Sequence, residues 1–354
     1  MLGAEYHFRD KVRVGILGAT GAVGQKFVQL LADHPWFELV ALAASERSVG
    51  KRYSQAVNWI LNTPLPEAVG EMEVSNCTPD LPCNIVFSGL DASVAGEIEM
   101  AFAEKGYVVV SNARNYRMAQ HVPLLIPEVN PDHLELLHHQ TTKGKIVTNP
   151  NCSVIGLALA LKPLDQHFGV EAVHVTTLQA VSGAGYPGVA SLDILDNVIP
   201  FISGEEDKVE TEPQKILGKL HNDRIHPAAF KISAQCNRVA VTDGHMACIS
   251  VKFAHKPTPQ EMIAAWESFT SEAQILNLPT APLKPIHYFA AQNYPQPRLH
   301  RNLDNGMSIA VGRLQPCSLF DYKFVVLSHN TMRGAAGCAV LNAELLMKKG
   351  FVFW

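Results

Sequence analysis

Short apolar runs alternate with helical apolar patterns through the first 150 residues of the chain. The runs that predict strands lie at 12–17, 38–45, 84–90 and 107–112, and helical patterns lie at 27–31 and 92–106. Strands that alternate with helices are typical of a doubly wound parallel sheet, so this region predicts an α/β domain of the Rossmann type.

Beyond residue 151 the pattern favours longer strands. Apolar residues predict strands at 170–182 and 323–328. Two more strands are predicted on either side of the turn Thr242–Gly244, and the strand before this turn is expected to start at Arg238. Residues 274–300 contain five prolines and predict a long irregular loop or a lid. Residues 329–350 return to a helical pattern rich in small residues.

Composition narrows the class of protein. A chain of 354 residues suggests two domains, and 47% hydrophobic with 18% charged residues argues against disorder. A net charge of −4 argues against a general surface for nucleic acid or anionic membranes. No apolar run reaches about 18 residues, the start has no signal-peptide layout, and the seven cysteines form no CxxC pair. We expect a soluble, cytoplasmic protein without a disulfide framework or a metal site.

A glycine-rich turn follows the first predicted strand. The sequence GATGAVG places Gly18, Gly21 and Gly24 between a strand and a helix, where backbone N–H groups can approach a pyrophosphate. This context favours a dinucleotide site over an ordinary glycine turn. The candidate cofactor contacts of this turn are Gly18, Thr20, Gly21, Ala22, Val23 and Gly24.

The ends of the next strands supply further candidates. Ser45 and Arg47 could bind a 2′-phosphate, so we favour NADP over NAD, although Glu46 between them would oppose that charge. Ser88 and Gly89 are also assigned to the cofactor. The loop 111–118 carries Arg114 and Arg117, which are candidates for an anion site or ordinary surface arginines.

One cysteine stands where a strand turns into a helix. In the sequence NPNC, Asn149–Asn151 predicts a turn and a helix that begins near Cys152. A helix N-terminus lowers the pKa of a thiol, and its free N–H groups could bind an oxyanion. Cys152 is therefore a candidate nucleophile, and the alternative is a small core residue. His245, at the exit of the turn Thr242–Gly244, is a candidate base for this thiol.

Five motifs together resemble one family almost from end to end. GATGAVG at 18–24, NPNCS at 149–153, SGAGYPG at 182–188, RVAVTDGH at 238–245 and NTMRGAAG at 330–337 resemble aspartate-semialdehyde dehydrogenase, of the archaeal and fungal type. The resemblance implies NADP-dependent, reversible reduction of L-4-aspartyl phosphate to L-aspartate 4-semialdehyde through a thioester on Cys152.

The resemblance also assigns roles to single residues. It implies that Cys152 is the nucleophile, that His245 is the acid and base, and that Gln179 orients the substrate. Arg238 would bind the α-carboxylate and Glu205 the ammonium group, whereas Lys208, Arg117 and Asn151 would lie at the phosphate. Glu205 is chosen over Glu206 because it is three residues from Lys208. Ser182, Gly183, Gly185 and Asn330 would lie near the nicotinamide.

Some of these residues have ordinary alternatives. Gln179 could be an inward polar residue, and Glu205 with Lys208 could be an exposed ion pair on a helix. Cys236, Cys248 and Cys338 stand in apolar or small-residue runs and are expected to be inert packing.

The resemblance implies a divided nucleotide domain and a homo-oligomer. Residues 1–151 and 329–354 would form the NADP-binding domain, and 152–328 a catalytic and dimerisation domain with a mainly antiparallel sheet. A homodimer or a homotetramer is expected. Three other functions stay open: an N-acetyl-glutamyl-phosphate reductase, a malonyl-CoA or succinyl-CoA reductase, and a non-catalytic NADP-binding protein. Glu205 argues against the first because an acetylated amine needs no acid.

Overall fold

The structure, a computed structural model, describes residues 11–352 and contains a parallel sheet followed by a mixed one. The predicted lead into the first strand, residues 1–10, lies outside the described residues. All strands of the first sheet run parallel in the order β3-β2-β1-β4-β5-β6. Its strands are β1 (Val12–Leu17), β2 (Phe37–Ala44), β3 (Val74–Asn76), β4 (Ile85–Ser88), β5 (Val108–Ser111) and β6 (Lys145–Thr148). The predicted doubly wound sheet is confirmed.

Helices from early and late in the chain contribute to the core of this sheet. Helix α1 (Ala22–Leu31) buries Phe27 and Leu31, which belong to one apolar cluster with Phe87 of β4. The C-terminal helix adds Leu341 and Leu345 to the same cluster. Helix α2 (Ala92–Lys105) lies against β5 and begins with an Asp91 cap.

The second sheet is mixed, with three antiparallel and two parallel pairings among the described strands. Its order is β10-β7-β11-β14-β13-β12, and β10–β7 and β12–β13 are the parallel pairs. Its strands are β7 (Val170–Gln179), β10 (Lys231–Arg238), β11 (His245–Phe253), β12 (Ile286–Phe289), β13 (Ile309–Pro316) and β14 (Tyr322–Ser328), and a hairpin of β8 (Lys219–His221) and β9 (Arg224–His226) precedes β10.

Two predictions about this region are wrong. The strand expected to start at Arg238 ends there instead, because β10 pairs with β7 as far as Gln179 and the chain then turns. The irregular segment 274–300 contains β12, whose residues Ile286–Phe289 pair with β13. In both places pairing with a distant strand decides the structure, and this pairing leaves no local signal.

Helices cover one face of the second sheet and leave the other face open. Helix α3 (Cys152–Phe168) packs on β11 and β14 and contributes a run of buried residues to the second core. On the opposite face Cys248 stands between Thr176 and Val325 of the neighbouring strands, and it is exposed. The expectation that Cys248 is core packing is therefore wrong, whereas Cys236 and Cys338 are buried.

The remaining helices connect these two layers. The longer ones are α4 (Glu205–Ile216), α5 (Pro259–Glu267) and α6 (Gly337–Lys348), which continues from a π-helical turn at Met332–Ala336. Shorter helices are Tyr53–Ala56, Glu67–Gly70, Ser191–Ile194, Glu272–Ile275 and Pro297–His300, with 3-10 turns at Pro131–His139, Val181–Ala184 and Leu303–Gly306. Within residues 11–352, no helix combines the length and the apolar character needed to cross a bilayer.

Candidate active site

The turn before α3 presents the candidate nucleophile at the first residue of the helix. Asn151 is the N-cap, and its Oδ1 accepts a hydrogen bond from the N–H of Ser153 at 2.9 Å. The backbone N–H of Asn149 bonds to Ser111 at the end of β5, so the turn is anchored to the parallel sheet. The helix begins at Cys152, as the sequence predicted, and this residue is half-buried.

His245 is the nearest base to this thiol. Its Nε2 lies 3.3 Å from Cys152 Sγ, and its Nδ1 accepts a hydrogen bond from the N–H of Ala180 at 3.0 Å. Because Nδ1 is an acceptor, the neutral ring carries its proton on Nε2, facing the sulfur. In this arrangement His245 is a donor toward the thiol, and not the acceptor that the sequence suggested.

Burial governs the protonation of this pair. It raises the pKa of Cys152 to about 12, and Glu205 adds to the effect, whereas Arg117, Lys208 and Arg238 oppose it. Burial also lowers the pKa of His245 to about 3. The thiol and the imidazole are therefore both neutral in the structure as it stands. The low thiol pKa expected at a helix N-terminus is wrong for this site.

Three polar groups surround the carboxylate of Glu205. Its Oε1 accepts bonds from Asn151 Nδ2 and Gln179 Nε2, each at 2.9 Å, and its Oε2 accepts one from Lys208 Nζ at 2.6 Å. Burial opposes ionisation, but Lys208 and the two amides outweigh it and hold the pKa of Glu205 below its usual range.

This carboxylate is buried, with 4% of Glu205 exposed, so it does not form a surface ion pair with Lys208. Its neighbour points elsewhere, because the Glu206 side chain accepts a bond from the N–H of Cys236. Glu205, which was chosen over Glu206 from its spacing to Lys208, is therefore the carboxylate that contacts Asn151 and Gln179.

Two buried arginines complete the polar surroundings of Cys152. Arg238, the last residue of β10, donates from Nη1 to the carbonyl of Ala180 at 2.7 Å. Arg117 donates from Nη1 to Glu212 and from Nη2 to the carbonyl of Asn112, each at 2.8 Å. Both guanidinium groups oppose the rise that burial causes in the pKa of the Cys152 thiol. Arg114, by contrast, is exposed.

The glycine turn after β1 fits a dinucleotide. Gly18 has φ +75°, and a Cβ there would lie 2.9 Å from the carbonyl oxygen of Gly89. A Cβ at Gly24 would lie 2.3 Å from the carbonyl oxygen of Gly18, so the helix packs tightly on its own turn. Gly21 caps α1, which begins with Ala22 and Val23. The other turn residue, Thr20, is half-buried.

A cleft of about 510 Å³ lies beside this turn and is lined by helix and loop residues from both parts of the chain. Ala22 lines one side, and Ser182 and Gly185 line the other. Asn330 lies beside the second side, because its Oδ1 accepts a bond from Gly244 N and its Nδ2 donates to Ser182 Oγ, each at 2.8 Å. Gly183 lies nearer the thiol, since a Cβ there would contact Arg238 and His245.

The other cofactor candidates lie at the carboxyl ends of the parallel strands. Ser45 and Arg47 follow β2 and are exposed, as is Glu46 between them. Ser88 ends β4 and is fully buried, and burial raises the pKa of the nearby Glu99 although Ser88 and Ser111 oppose that shift. Ser88 is thus enclosed by the sheet, and Ser45 and Arg47 are open to a ligand.

Sequence reasoning missed two buried acids around this site. Glu212 bonds to both Arg117 and the turn before Cys152. Glu128 forms a two-pronged ion pair with Arg333, and neither side chain is exposed. Arg333 precedes Gly334, where an added Cβ would lie 2.9 Å from Cys152 Cβ. If residues 205–216 are taken as a helix, Glu212 lies on the same face as Glu205, and this spacing is the one sequence feature that could have identified it.

Comparisons with known proteins match the chain to one family over most of its length. A family model described as "Semialdehyde dehydrogenase, NAD binding domain" matches residues 13–137, and one described as "Semialdehyde dehydrogenase, dimerisation domain" matches residues 161–333. An aspartate-semialdehyde dehydrogenase of Cryptococcus neoformans is 50% identical over 97% of this chain and 99% of its own length. One of Archaeoglobus fulgidus is 52% identical over 96% of this chain and 99% of its own length.

A solved structure is similar over the same extent. The structure of aspartate-semialdehyde dehydrogenase with NADP from Candida albicans has a TM-score of 0.90 and 44% identity, and the match covers 97% of this chain and 100% of that one. The family predicted from the five motifs is confirmed by these matches. The chain belongs to the aspartate-semialdehyde dehydrogenase family.

Proposed function

We propose that this protein is an NADP-dependent aspartate-semialdehyde dehydrogenase of the pathway to lysine, threonine and methionine. It catalyses the reversible reductive dephosphorylation of L-4-aspartyl phosphate to L-aspartate 4-semialdehyde. The observation that carries the proposal is the 3.3 Å approach of Cys152 Sγ and His245 Nε2 at the start of a helix, beside a buried carboxylate and two buried arginines.

The charges around the thiol suit an amino-acid substrate. In our proposal Glu205 binds the ammonium group, with Gln179 orienting the reacting end, and Arg238 binds the α-carboxylate through its planar fork. Lys208 and Arg117 are the cations for phosphate, and Asn151 holds the Glu205 carboxylate in place. The bonds that Glu205 receives from Asn151, Gln179 and Lys208 support this grouping.

In the oxidative direction the thiolate of Cys152 attacks the aldehyde carbon. Its proton is released to solvent; burial raises the pKa of the thiol, and Arg117, Lys208 and Arg238 oppose that shift and so favour the release. The oxyanion of the adduct accepts a hydrogen bond from His245 Nε2–H. The adduct loses hydride to become a thioester, which a phosphate oxygen then cleaves, and the thiolate leaves.

NADP supplies the hydride acceptor in this direction. The residues present fit it, since the turn Gly18–Gly24 begins a helix, and the cleft beside Ala22 is also lined by Ser182 and Gly185, with Asn330 bonded to Ser182. The structure with NADP from Candida albicans supports the choice of cofactor. Ser45 and Arg47 are proposed to bind the 2′-phosphate.

We also propose the domain division and the partner. Residues 1–151 with 329–354 form the nucleotide domain, and residues 152–328 the catalytic domain, which is supported by the shared core of α6 and the parallel sheet. The open face of the second sheet, which includes Thr176, Cys248 and Val325, is proposed to bind a second copy of the chain. A homodimer is the smallest assembly with this contact, and a homotetramer would contain two such dimers.

One assay separates this function from its alternatives. Purified protein is mixed with aspartate semialdehyde, NADP and phosphate, and NADPH absorbance is followed for wild type, Cys152→Ala and the control Cys317→Ala. We expect phosphate-dependent reduction of NADP that only Cys152→Ala abolishes. NADPH oxidation with malonyl-CoA or succinyl-CoA, without activity on aspartate semialdehyde, would instead identify an acyl-CoA reductase. Binding of NADP without any turnover would identify a non-catalytic protein.

A further inference from the structure

Glu212 is a buried acid that joins two parts of the site. It lies on α4 seven residues after Glu205, on the same face of the helix, and is 2% exposed. Its Oε1 accepts the bond from Arg117 Nη1 at 2.8 Å, and its Oε2 accepts a bond from the backbone N–H of Asn151 at 2.7 Å. One carboxylate thus connects the loop that carries Arg117 to the cap of α3.

The bond to Glu212 fixes the direction of the Arg117 guanidinium. Its Nη2 is held by the carbonyl of Asn112, and its Nε is buried without a hydrogen-bond partner in the described part of the chain. An anion beside Cys152 would find both a positive charge and a free donor there. Without the carboxylate, one of the two contacts that orient this group would be lost.

The bond to the Asn151 backbone fixes the turn that carries the nucleophile. Both polar atoms of the Asn151 side chain already have a partner, because Oδ1 caps the helix and Nδ2 donates to Glu205. Its backbone N–H lies one residue before Cys152 and has the Glu212 carboxylate as its acceptor. The same side chain therefore sets the position of a cation and the position of the thiol.

We propose that Glu212 is a positioning residue that holds Arg117 and the turn before Cys152 in a fixed relation, so that phosphate meets the thioester carbonyl. The inference rests on the proposed function. Glu212 does not contact the reacting atoms, and it acts through Arg117 and Asn151. A purely structural ion pair would change stability without a selective change in the use of phosphate.

The first test is Glu212→Gln in the oxidative assay. Glutamine keeps the shape and an acceptor for the Asn151 N–H, but removes the charge that holds Arg117. We expect the KM for phosphate to rise about tenfold to hundredfold, the range for loss of one hydrogen bond to a charged group, with kcat and the KM for NADP within about threefold of wild type. Glu210→Gln is the matched control, since Glu210 lies on α4 and accepts a bond from Ala234 N at 2.8 Å.

A double-mutant comparison tests the route through Arg117. The KM for phosphate should be the same in Arg117→Ala and in Arg117→Ala/Glu212→Gln, because Glu212 has no effect on phosphate once its partner is gone. Independent, additive increases would overturn the proposal, as would a wild-type KM for phosphate in folded Glu212→Gln. Should Glu212→Gln fail to fold, Glu212→Asp keeps the charge on a shorter side chain, and a wild-type KM for phosphate in that variant would overturn it.

A binding assay keeps this inference separate from the proposed function. Inorganic phosphate should slow the alkylation of Cys152 by iodoacetamide in wild type, and the protection should be lost in Glu212→Gln. Equal protection in both proteins overturns the role of Glu212. Absence of phosphate-dependent NADPH formation in wild type would refute the dehydrogenase function alone, because the protection assay needs no turnover.

Discussion

Gly183 offers a direct test of how strongly the reaction depends on the position of His245. A Cβ at this residue would lie 2.8 Å from Arg238 Nη1, 2.9 Å from His245 Cε1 and 3.0 Å from His245 Nε2. Gly183 is not among the described residues with a positive φ, so the backbone accepts alanine. The effect of Gly183→Ala therefore comes from the added methyl group.

The methyl group must displace both the Arg238 guanidinium and the imidazole by several tenths of an ångström. Nδ1 is held by the N–H of Ala180, so the ring pivots there and the 3.3 Å separation of Nε2 from the sulfur changes. A misplacement of about 1 Å at a reacting group costs about a hundredfold in rate, so we expect kcat to fall about tenfold to hundredfold. Overpacking should cost about 1–3 kcal/mol of unfolding free energy, which leaves the protein folded.

Steady-state NADPH formation and urea unfolding measure the two effects. Gly70→Ala is the control, because its Cβ would meet the Leu65 side chain at an ordinary 3.4 Å, away from the site. A folded Gly183→Ala enzyme with wild-type kcat would refute the claim that the His245 position limits the reaction. A rise in the KM for NADP alone would assign the effect to the cofactor side of the cleft.

Three further predictions concern stability and assembly. Glu128→Gln should lower the free energy of unfolding by about 3–5 kcal/mol, because Arg333 would stay buried without a counter-charge. Glu71→Gln, which removes one partner of an exposed ion pair, should cost under about 1 kcal/mol. Equal losses for the two variants in urea unfolding would contradict this. Burial lowers the pKa of His245 to about 3 and that of His329 to about 4, below the ordinary 6.5. Only the unfolded chain then binds these protons below pH ~6.5, so stability should fall by about 1.4 kcal/mol per pH unit for each histidine as the pH falls toward 4, and His329→Gln should reduce the slope. Cys248→Glu should dissociate the oligomer in light scattering and Lys219→Glu should not; an unchanged mass for Cys248→Glu would exclude the open sheet face as the interface.

The sequence predicts those parts of the fold that local chemistry determines. The glycine turn after β1 and the turn at Asn149–Asn151 are both found, because glycine allows backbone conformations that other residues avoid and proline fixes φ, whatever the rest of the chain does. The end of β10 at Arg238 was missed, since it depends on parallel pairing with β7. That same pairing brings Arg238 level with Gln179, and no pattern within either segment encodes this register.

The candidate site shows the same division between local and long-range effects. Glu205 and Lys208 could be paired from their spacing, because neighbours on one helix turn meet without help from the fold. Glu212 could not be assigned, although it is on the same face, because its partners Arg117 and Asn151 are 95 and 61 residues away in the chain. A position in a helix predicts which residues share a face, and only tertiary packing decides what that face meets.

The prediction of a low pKa for the Cys152 thiol is wrong because burial has a larger effect on the pKa than the helix N-terminus does. A helix N-terminus stabilises a nearby negative charge by up to about 2 kcal/mol, or roughly 1.5 pKa units, whereas loss of hydration around a charged group can shift its pKa by up to about 3–5 units in the opposite direction. The helix N-terminus does favour the thiolate, but its effect is the smaller one. Burial determines the outcome and raises the pKa of Cys152 to about 12. The cations that oppose this shift, Arg117, Lys208 and Arg238, are the groups proposed to bind the anionic parts of the substrate. Nucleophile activation and substrate binding therefore draw on the same charges, and a change in any of the three should alter both the reactivity of the thiol and the affinity for phosphate or substrate.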